Sequence, residues 1–275
     1  VPVIFFTRTN DVFEINKMFV FRFFTFYSVG LWLLIFLIEK KIIVRKTVLD
    51  FPVIGFLLAS ILATIITKNR TVSIYGVYED FEGIITIINY VLFFYLATNF
   101  IKTKKDVFKY VYVILGATFI ISLYGLAQNL GWDFVKWNPE TYSPERFFST
   151  LGNPNFLAAY LVETIPIIFI LFFITDKTPG KLFILIVLIF SIVVLFLTKS
   201  RAGFLSFLVT VLFILIYTFL DARKKENELF SKNKIWFMFF ALTIILTLFL
   251  PIVREAFQTL WERSRSLFSF KGIIL

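Results

Sequence analysis

The strongest constraint on this chain is a succession of apolar blocks, each about 17–24 residues long, cut by short stretches rich in Lys, Arg, Asp and Glu. A block of that length is what an α-helix needs to cross about 30 Å of hydrocarbon. No water reaches a lone segment there, so its N–H and C=O groups must pair with one another, which a helix alone allows. Composition points the same way. Of the 275 residues, 59% are hydrophobic and 17% charged, and the mean hydropathy is +0.87. Soluble chains hold roughly 45–50% apolar and about 25% charged residues. The fold class expected is all-α: a polytopic helical membrane protein with about eight transmembrane helices. Its 39 Phe suit a surface that faces lipid.

A sliding apolar window places the crossings at Met18–Ile38, Phe51–Thr67, Gly83–Ile101, Val107–Leu130, Asn153–Ile174, Lys181–Thr198, Ala202–Leu220 and Ile235–Val253. With no internal repeat and no low-complexity linker, residues 1–253 read as a single transmembrane helical domain. Residues 254–275 read as the start of an extracytoplasmic loop domain. Val1–Phe6 resembles the tail of an earlier helix, and the chain is expected to be a piece open at both ends.

Alternate connections hold Lys40, Lys41, Arg45, Lys46, Lys102, Lys104, Lys105, Lys177, Lys181, Arg223, Lys224, Lys225, Lys232 and Lys234. The opposite set is smaller: Arg8, Lys17, Lys68, Arg70, Lys136, Arg146, Lys199 and Arg201, before a tail bearing Arg254, Arg263, Arg265 and Lys271. The positive-inside bias therefore puts the first set in the cytoplasm. Trp132, Trp137, Tyr142 and Trp261 then fall in outer segments, as interfacial aromatics do. Net charge is +10, yet no basic block resembles a nucleic-acid arm, and no nucleic-acid partner is expected. Cys and His are absent. That excludes disulfides, thiolate chemistry, the usual zinc sites and a histidine base within these residues.

Two polar clusters interrupt the apolar pattern. In "RFFSTLGNPNFLAAYL" (Arg146–Leu161), Gly152 breaks the loop, Asn153 is a preferred N-cap and Pro154 suits the first helical position. Such a start aims unpaired N–H groups and the positive end of a helix dipole into the interface, which attracts an anion. In "LTKSRAG" (Leu197–Gly203), crossing parity returns Lys199 and Arg201 to the face that bears Arg146 and Asn153. Taken singly, the first cluster is an ordinary helix cap and the second a snorkelling anchor. Together, bracketing one helical hairpin, they favour an anion site in which guanidinium forks clamp phosphate oxygens.

These motifs resemble the O-antigen ligase and polymerase superfamily of bacterial integral-membrane glycosyltransferases. The resemblance rests on Gly152–Asn155 followed by "NFLAAYL", on Ser200–Gly203 about fifty residues later, and on "DVFEINK" (Asp11–Lys17), "EGIITIINY" (Glu82–Tyr90) and "SLYGLAQNLGWD" (Ser122–Asp133). It implies transfer of a glycan from an undecaprenyl-diphosphate carrier to a lipid-A core or other glycan acceptor, at the extracytoplasmic face of the bacterial inner membrane. O-antigen polymerase and protein O-oligosaccharyltransferase belong to the same resemblance. No metal or cofactor is implied. By matching position, Arg146 and Arg201 take the catalytic role at the diphosphate, with Asn153, Asn155 and Lys199 binding substrate; membrane lipid is a further partner. The loop histidine that activates the acceptor in such enzymes has no counterpart here. Trp261, Arg263 and Arg265 look like the approach to the arginine-then-tryptophan element of that loop, so the chain is expected to stop inside it.

Glu163 keeps a different class open. It lies ten residues into its helix, about 15 Å down, and intramembrane carboxylates mark ion or proton pathways by default. A transporter or lipid-linked-sugar flippase is the alternative; the plain reading is a neutral carboxyl, or one paired with Arg22, Lys109, Asn89, Gln128 or Asn129. A non-enzymatic scaffold leaves both arginine clusters unexplained.

Overall fold

The structure, a computed structural model, describes residues 1–9, 11–40, 44–78, 80–137 and 146–222. The expected crossing Ile235–Val253, the segment 254–275 with Trp261 and its four basic residues, Lys41, Tyr142 and the basic residues from Arg223 to Lys234 lie outside the described residues.

The described residues are helical and contain no strand. The helices are α1 (Glu14–Glu39), α2 (Asp50–Ile66), α3 (Arg70–Tyr75), α4 (Ile84–Phe100), α5 (Lys104–Asn129), α6 (Pro154–Ile174), α7 (Thr178–Leu197) and α8 (Arg201–Ala222), with a 3-10 turn at Ser149–Leu151. Each of the first seven expected crossings falls on a helix. Four of these, α1, α5, α6 and α7, are long and apolar enough to cross a membrane. Helices α2 and α4 are apolar but have 17 residues each, about 26 Å at 1.5 Å per residue. Of α8, the portion Arg201–Ile214 is apolar. One helix was not expected: α3 forms inside the polar connection after α2, where the Asn69 side chain accepts from the Val72 N–H at 3.3 Å.

The chain groups into two compact units, Val1–Tyr110 and Val111–Leu275. In the first, α1, α2 and α3 each pack on α4. Its side chains are distributed inside out for a soluble fold. No residue of α2 is buried, and Phe19, Phe23, Phe24, Leu37, Phe51, Phe56 and Ile66 are exposed, while Thr25, Thr86, Asn89 and Asn99 are buried. That inversion fits a surface solvated by hydrocarbon, where the apolar side chains meet lipid and polar groups pair inside. Arg22 shows how a charge is accommodated. Its guanidinium donates to the Phe81 carbonyl at 3.2 Å and to the Thr86 hydroxyl, holding the turn between Gly76 and Gly83 against α1.

In the second unit, α6 and α7 form a tightly packed pair and α8 lies on α6. Leu157, Leu161 and Ile168 of α6 are fully buried, as are Ile184, Val187, Leu188 and Ile192 of α7. Polar ties join α5 to this pair: Ser122 Oγ lies 3.2 Å from Ser191 Oγ, and Thr118 Oγ1 lies 3.1 Å from the Tyr160 hydroxyl. Helix α6 runs unbroken through Pro166.

Helices α6 and α8 approach closely at Gly203. A Cβ added at Gly203 meets the Ala158 Cβ at 2.6 Å, a distance that real carbon atoms do not share. Gly203→Ala is therefore expected to lower the thermal midpoint of the purified chain in detergent, by the equivalent of about 1–3 kcal/mol for overpacking. Adding Ala158→Gly should restore most of the loss. An unchanged midpoint for Gly203→Ala alone would show that the two helices do not meet this closely.

Candidate anion-binding site at two helix starts

The site is built where α6 and α8 begin. Gly152 takes the left-handed conformation, φ +79°, and reverses the chain. Asn153 follows in extended geometry, and its side chain accepts from the Asn155 N–H at 2.8 Å with Pro154 at the first helical position. Helix α8 is capped in the same manner. The Ser200 hydroxyl accepts from the Gly203 N–H at 3.3 Å, so Arg201 occupies the first helical position. Between α7 and α8 the chain turns within three residues. Thr198 and Ser200 are buried, and Lys199 adopts φ +53°. Because Ala158 and Gly203 touch near these starts, the positive ends of two helix dipoles lie side by side.

Arg146 joins the two motifs. Its Nε donates to the Thr198 carbonyl at 3.0 Å, and one terminal nitrogen donates to Asn155 Oδ1 at 3.1 Å. The first bond satisfies a carbonyl left over at the end of α7, where a cation also suits the negative dipole end. The second holds the Asn155 amide at the mouth of α6. So Arg146, Asn153 and Asn155 are brought together with the turn carrying Lys199 and Arg201. The guanidinium of Arg201 is exposed and has no hydrogen-bond or ion-pair partner among the described residues. Arg146 is thus committed to shaping the site, and Arg201 presents its donors outward.

A second layer fixes Arg146 in place, and sequence reasoning did not assign it. The Asp133 carboxylate accepts from the Tyr124 hydroxyl at 2.8 Å, Gln128 Nε2 at 2.8 Å, Trp137 Nε1 at 2.6 Å and the Val135 N–H at 3.0 Å. The other end of the Gln128 amide accepts from the Ser149 N–H at 2.7 Å. Ser149 Oγ in turn donates to the Ile121 carbonyl at 2.7 Å. Gly125 leaves room for this, since a Cβ there meets Val194 at 3.2 Å and the Phe147 ring at 3.4 Å. Asp133 and Ser149 are therefore both tied to α5, the latter three residues from Arg146. The signal was present in "SLYGLAQNLGWD", whose Tyr, Gly, Gln and Asp recur at helical spacing and just beyond. Trp137, expected as an interfacial aromatic, also serves as a donor in this network.

Glu163 lies on the exposed stripe of α6 that runs Asn155, Ala159, Glu163, eight residues and about 12 Å below Asn155. Of its expected partners, Arg22 is engaged with Phe81 and Thr86, Lys109 with Asp106, Asn89 with the Ile85 carbonyl, and Gln128 with Asp133 and Ser149. Among the described residues Glu163 has no ion-pair or hydrogen-bond partner.

Comparison of the chain with protein-family models, curated proteins and solved structures finds no match.

The Asp133 cluster has a pH signature. Burial works to raise its carboxyl pKa, but the bonds donated by Val135, Gln128, Trp137 and Tyr124 outweigh it and hold the carboxyl below its usual value. A carboxyl depressed in the folded state stabilises the loop at and above its unfolded value of about 3.9. The contribution is lost as pH falls through the lower folded value. In a variant keeping Trp137 as its single tryptophan, fluorescence is expected to stay constant from neutral pH to about 4 and to change below it. Asp133→Asn should remove that acid transition; a transition that persists in Asp133→Asn would assign it elsewhere.

Proposed function

We propose that this chain is a multi-pass protein of the bacterial inner membrane, with about eight crossings, that handles a lipid-borne diphosphate at the extracytoplasmic face. The reaction is transfer of a glycan from undecaprenyl diphosphate to a lipid-A core or other glycan acceptor, as in O-antigen ligases. Polymerase and protein O-oligosaccharyltransferase activities are variants of the same chemistry that differ in acceptor. One observation carries the reading: Arg146 bridges Asn155 and Thr198, so that the G-N-P-N start and the S-R-A-G start form one mouth.

The chemistry follows from charge. As the bond between sugar and diphosphate breaks, negative charge grows on the leaving diphosphate. Preorganised donors aimed at that charge stabilise the transition state more than the ground state. Two helix N-termini supply N–H groups and dipole, and Arg201 supplies a fork suited to two phosphate oxygens. Lys199, in the same turn, adds a point charge. Asn153 and Asn155 keep the α6 mouth open, and Arg146 holds it against the α7–α8 turn. Together these residues hold the diphosphate as it leaves.

Direct binding tests this. The purified chain should bind undecaprenyl diphosphate and not the unphosphorylated polyprenol. Arg201→Ala should weaken binding about 10- to 100-fold, the range for charge-assisted hydrogen bonds. In a transfer assay, Arg201→Lys should lose most activity despite keeping its charge, because the fork is lost. Equal affinity for both polyprenols, or full activity in Arg201→Lys, would sink the proposal.

Glu163, exposed and without a partner among the described residues, favours a second reading, proton- or ion-coupled movement of a lipid-linked sugar. Ionisable residues inside a membrane span mark ion or proton pathways by default. Under the transferase reading, Glu163→Gln should leave transfer largely intact and improve stability. Loss of substrate movement across vesicles in Glu163→Gln, with diphosphate binding retained, would instead establish the transport reading.

A further inference from the structure

In the first unit, α1 and α4 towards their C-terminal ends, with Arg45 and Lys102, line an open cleft of ≈ 620 Å3. It is separate from the helix starts described above and has its own chemistry. One wall is aromatic. Trp32 and Phe36 of α1 lie with ring centres 4.9 Å apart, and Trp32 meets Phe100 of α4 edge-on at 6.2 Å. The rim is charged: Arg45 and Lys102 line it together with Glu39, and all three are exposed.

The cationic rim is a built feature. Asn99, buried in the lining, accepts from the Arg45 N–H at 2.8 Å and donates to the Tyr95 carbonyl at 2.8 Å. That amide fastens the Arg45 backbone to α4 and so fixes where its side chain starts. Among the described residues neither Arg45 nor Lys102 has an ion-pair partner, although Glu39 lines the same cleft. Lys40, Lys46, Lys104 and Lys105 flank these positions in the chain and add to the local field.

We propose that this cleft is a binding site for an anionic phospholipid. Its phosphate lies between Arg45 and Lys102, and its glycerol and upper acyl chain run along Trp32, Phe36 and Phe100. The aromatic wall offers nothing to free phosphate, which argues for a lipid. Two cations against one carboxylate argue for an anionic headgroup, because a choline or ethanolamine headgroup brings a third cation to the rim. The location agrees, for helix ends rich in Trp, Lys and Arg sit at the depth of the headgroups, and basic pockets between helices are suited to anionic heads.

The full chain in nanodiscs of equal phosphatidylglycerol and phosphatidylcholine, released and weighed by native mass spectrometry, provides the test. Retained phosphatidylglycerol should exceed phosphatidylcholine by at least about fivefold, the factor that one basic side chain contributes at a membrane surface. Arg45→Ala with Lys102→Ala should bring the ratio near one at unchanged helix content, while Arg45→Lys should preserve it. Glu39→Gln should raise it, since the cleft loses its only carboxylate among the described residues. Brominated phosphatidylglycerol should quench the fluorescence of the wild-type chain more than that of Trp32→Phe. Added inorganic phosphate should displace nothing. The proposal fails if the ratio is near one in the wild type or survives the double variant. It fails equally if phosphate competes, or if no brominated lipid reaches Trp32 because another part of the chain fills the cleft.

Discussion

Two helices approach only as closely as the side chains between them permit, and at Gly203 there is no side chain. The Ala158 methyl group fills that space, so α6 and α8 meet near their first turns. The side-by-side placement of the two helix starts depends on this contact. It sets two capped helix starts beside each other, and it puts the Thr198–Ser200 turn within reach of Arg146. Small residues perform this role in membranes because lipid supplies no hydrophobic drive for helices to associate, leaving close packing and polar ties to do so. Ser122 with Ser191, and Thr118 with Tyr160, are ties of that kind.

The arginines illustrate how differently one residue type is used. Arg22 is consumed within its own unit, holding the turn before α4 by a carbonyl and a hydroxyl. Arg146 is consumed at the site, one bond to the end of α7 and one to the start of α6. Arg201 and Arg45 are exposed, and each stands at a place its backbone fixes: a Ser200-capped helix start for one, the Asn99 amide for the other. A guanidinium anchored through its side chain shapes a site, whereas one anchored through its backbone is available to a ligand. The proposed diphosphate mouth and the proposed lipid cleft both follow that rule.

Much of this architecture was legible in the residues. Seven apolar blocks fall on helices, Asn153 and Pro154 form the α6 start, and the two arginine clusters come together around one helical hairpin. Less legible was what supports them. Gln128 was read as a partner for Glu163, yet its amide joins Asp133 to Ser149. Nothing in a run of polar residues at the end of a helix tells which loop will fold back onto it. The short helix Arg70–Tyr75 was missed for a similar reason, since Thr71, Val72, Ser73, Ile74 and Tyr75 carry little helix signal of their own.

What the amino-acid sequence determines alone is the secondary structure, in a form compatible with hydrocarbon as its solvent. Apolar blocks of bilayer length leave the backbone no partners but its own, so helices form, and Asn, Ser, Pro and Gly mark their ends. Tertiary structure decides which polar groups find each other. Arg146 with Thr198, Asp133 with Gln128 and Asn99 with Arg45 are pairs separated by 5 to 54 residues, and the longer of them are set by which helix faces are smooth enough to touch. The absence of a Cβ at one glycine is written in the sequence. That its neighbour would be Ala158 is not, because the contact depends on the rotation and depth of two separate helices, which only packing resolves.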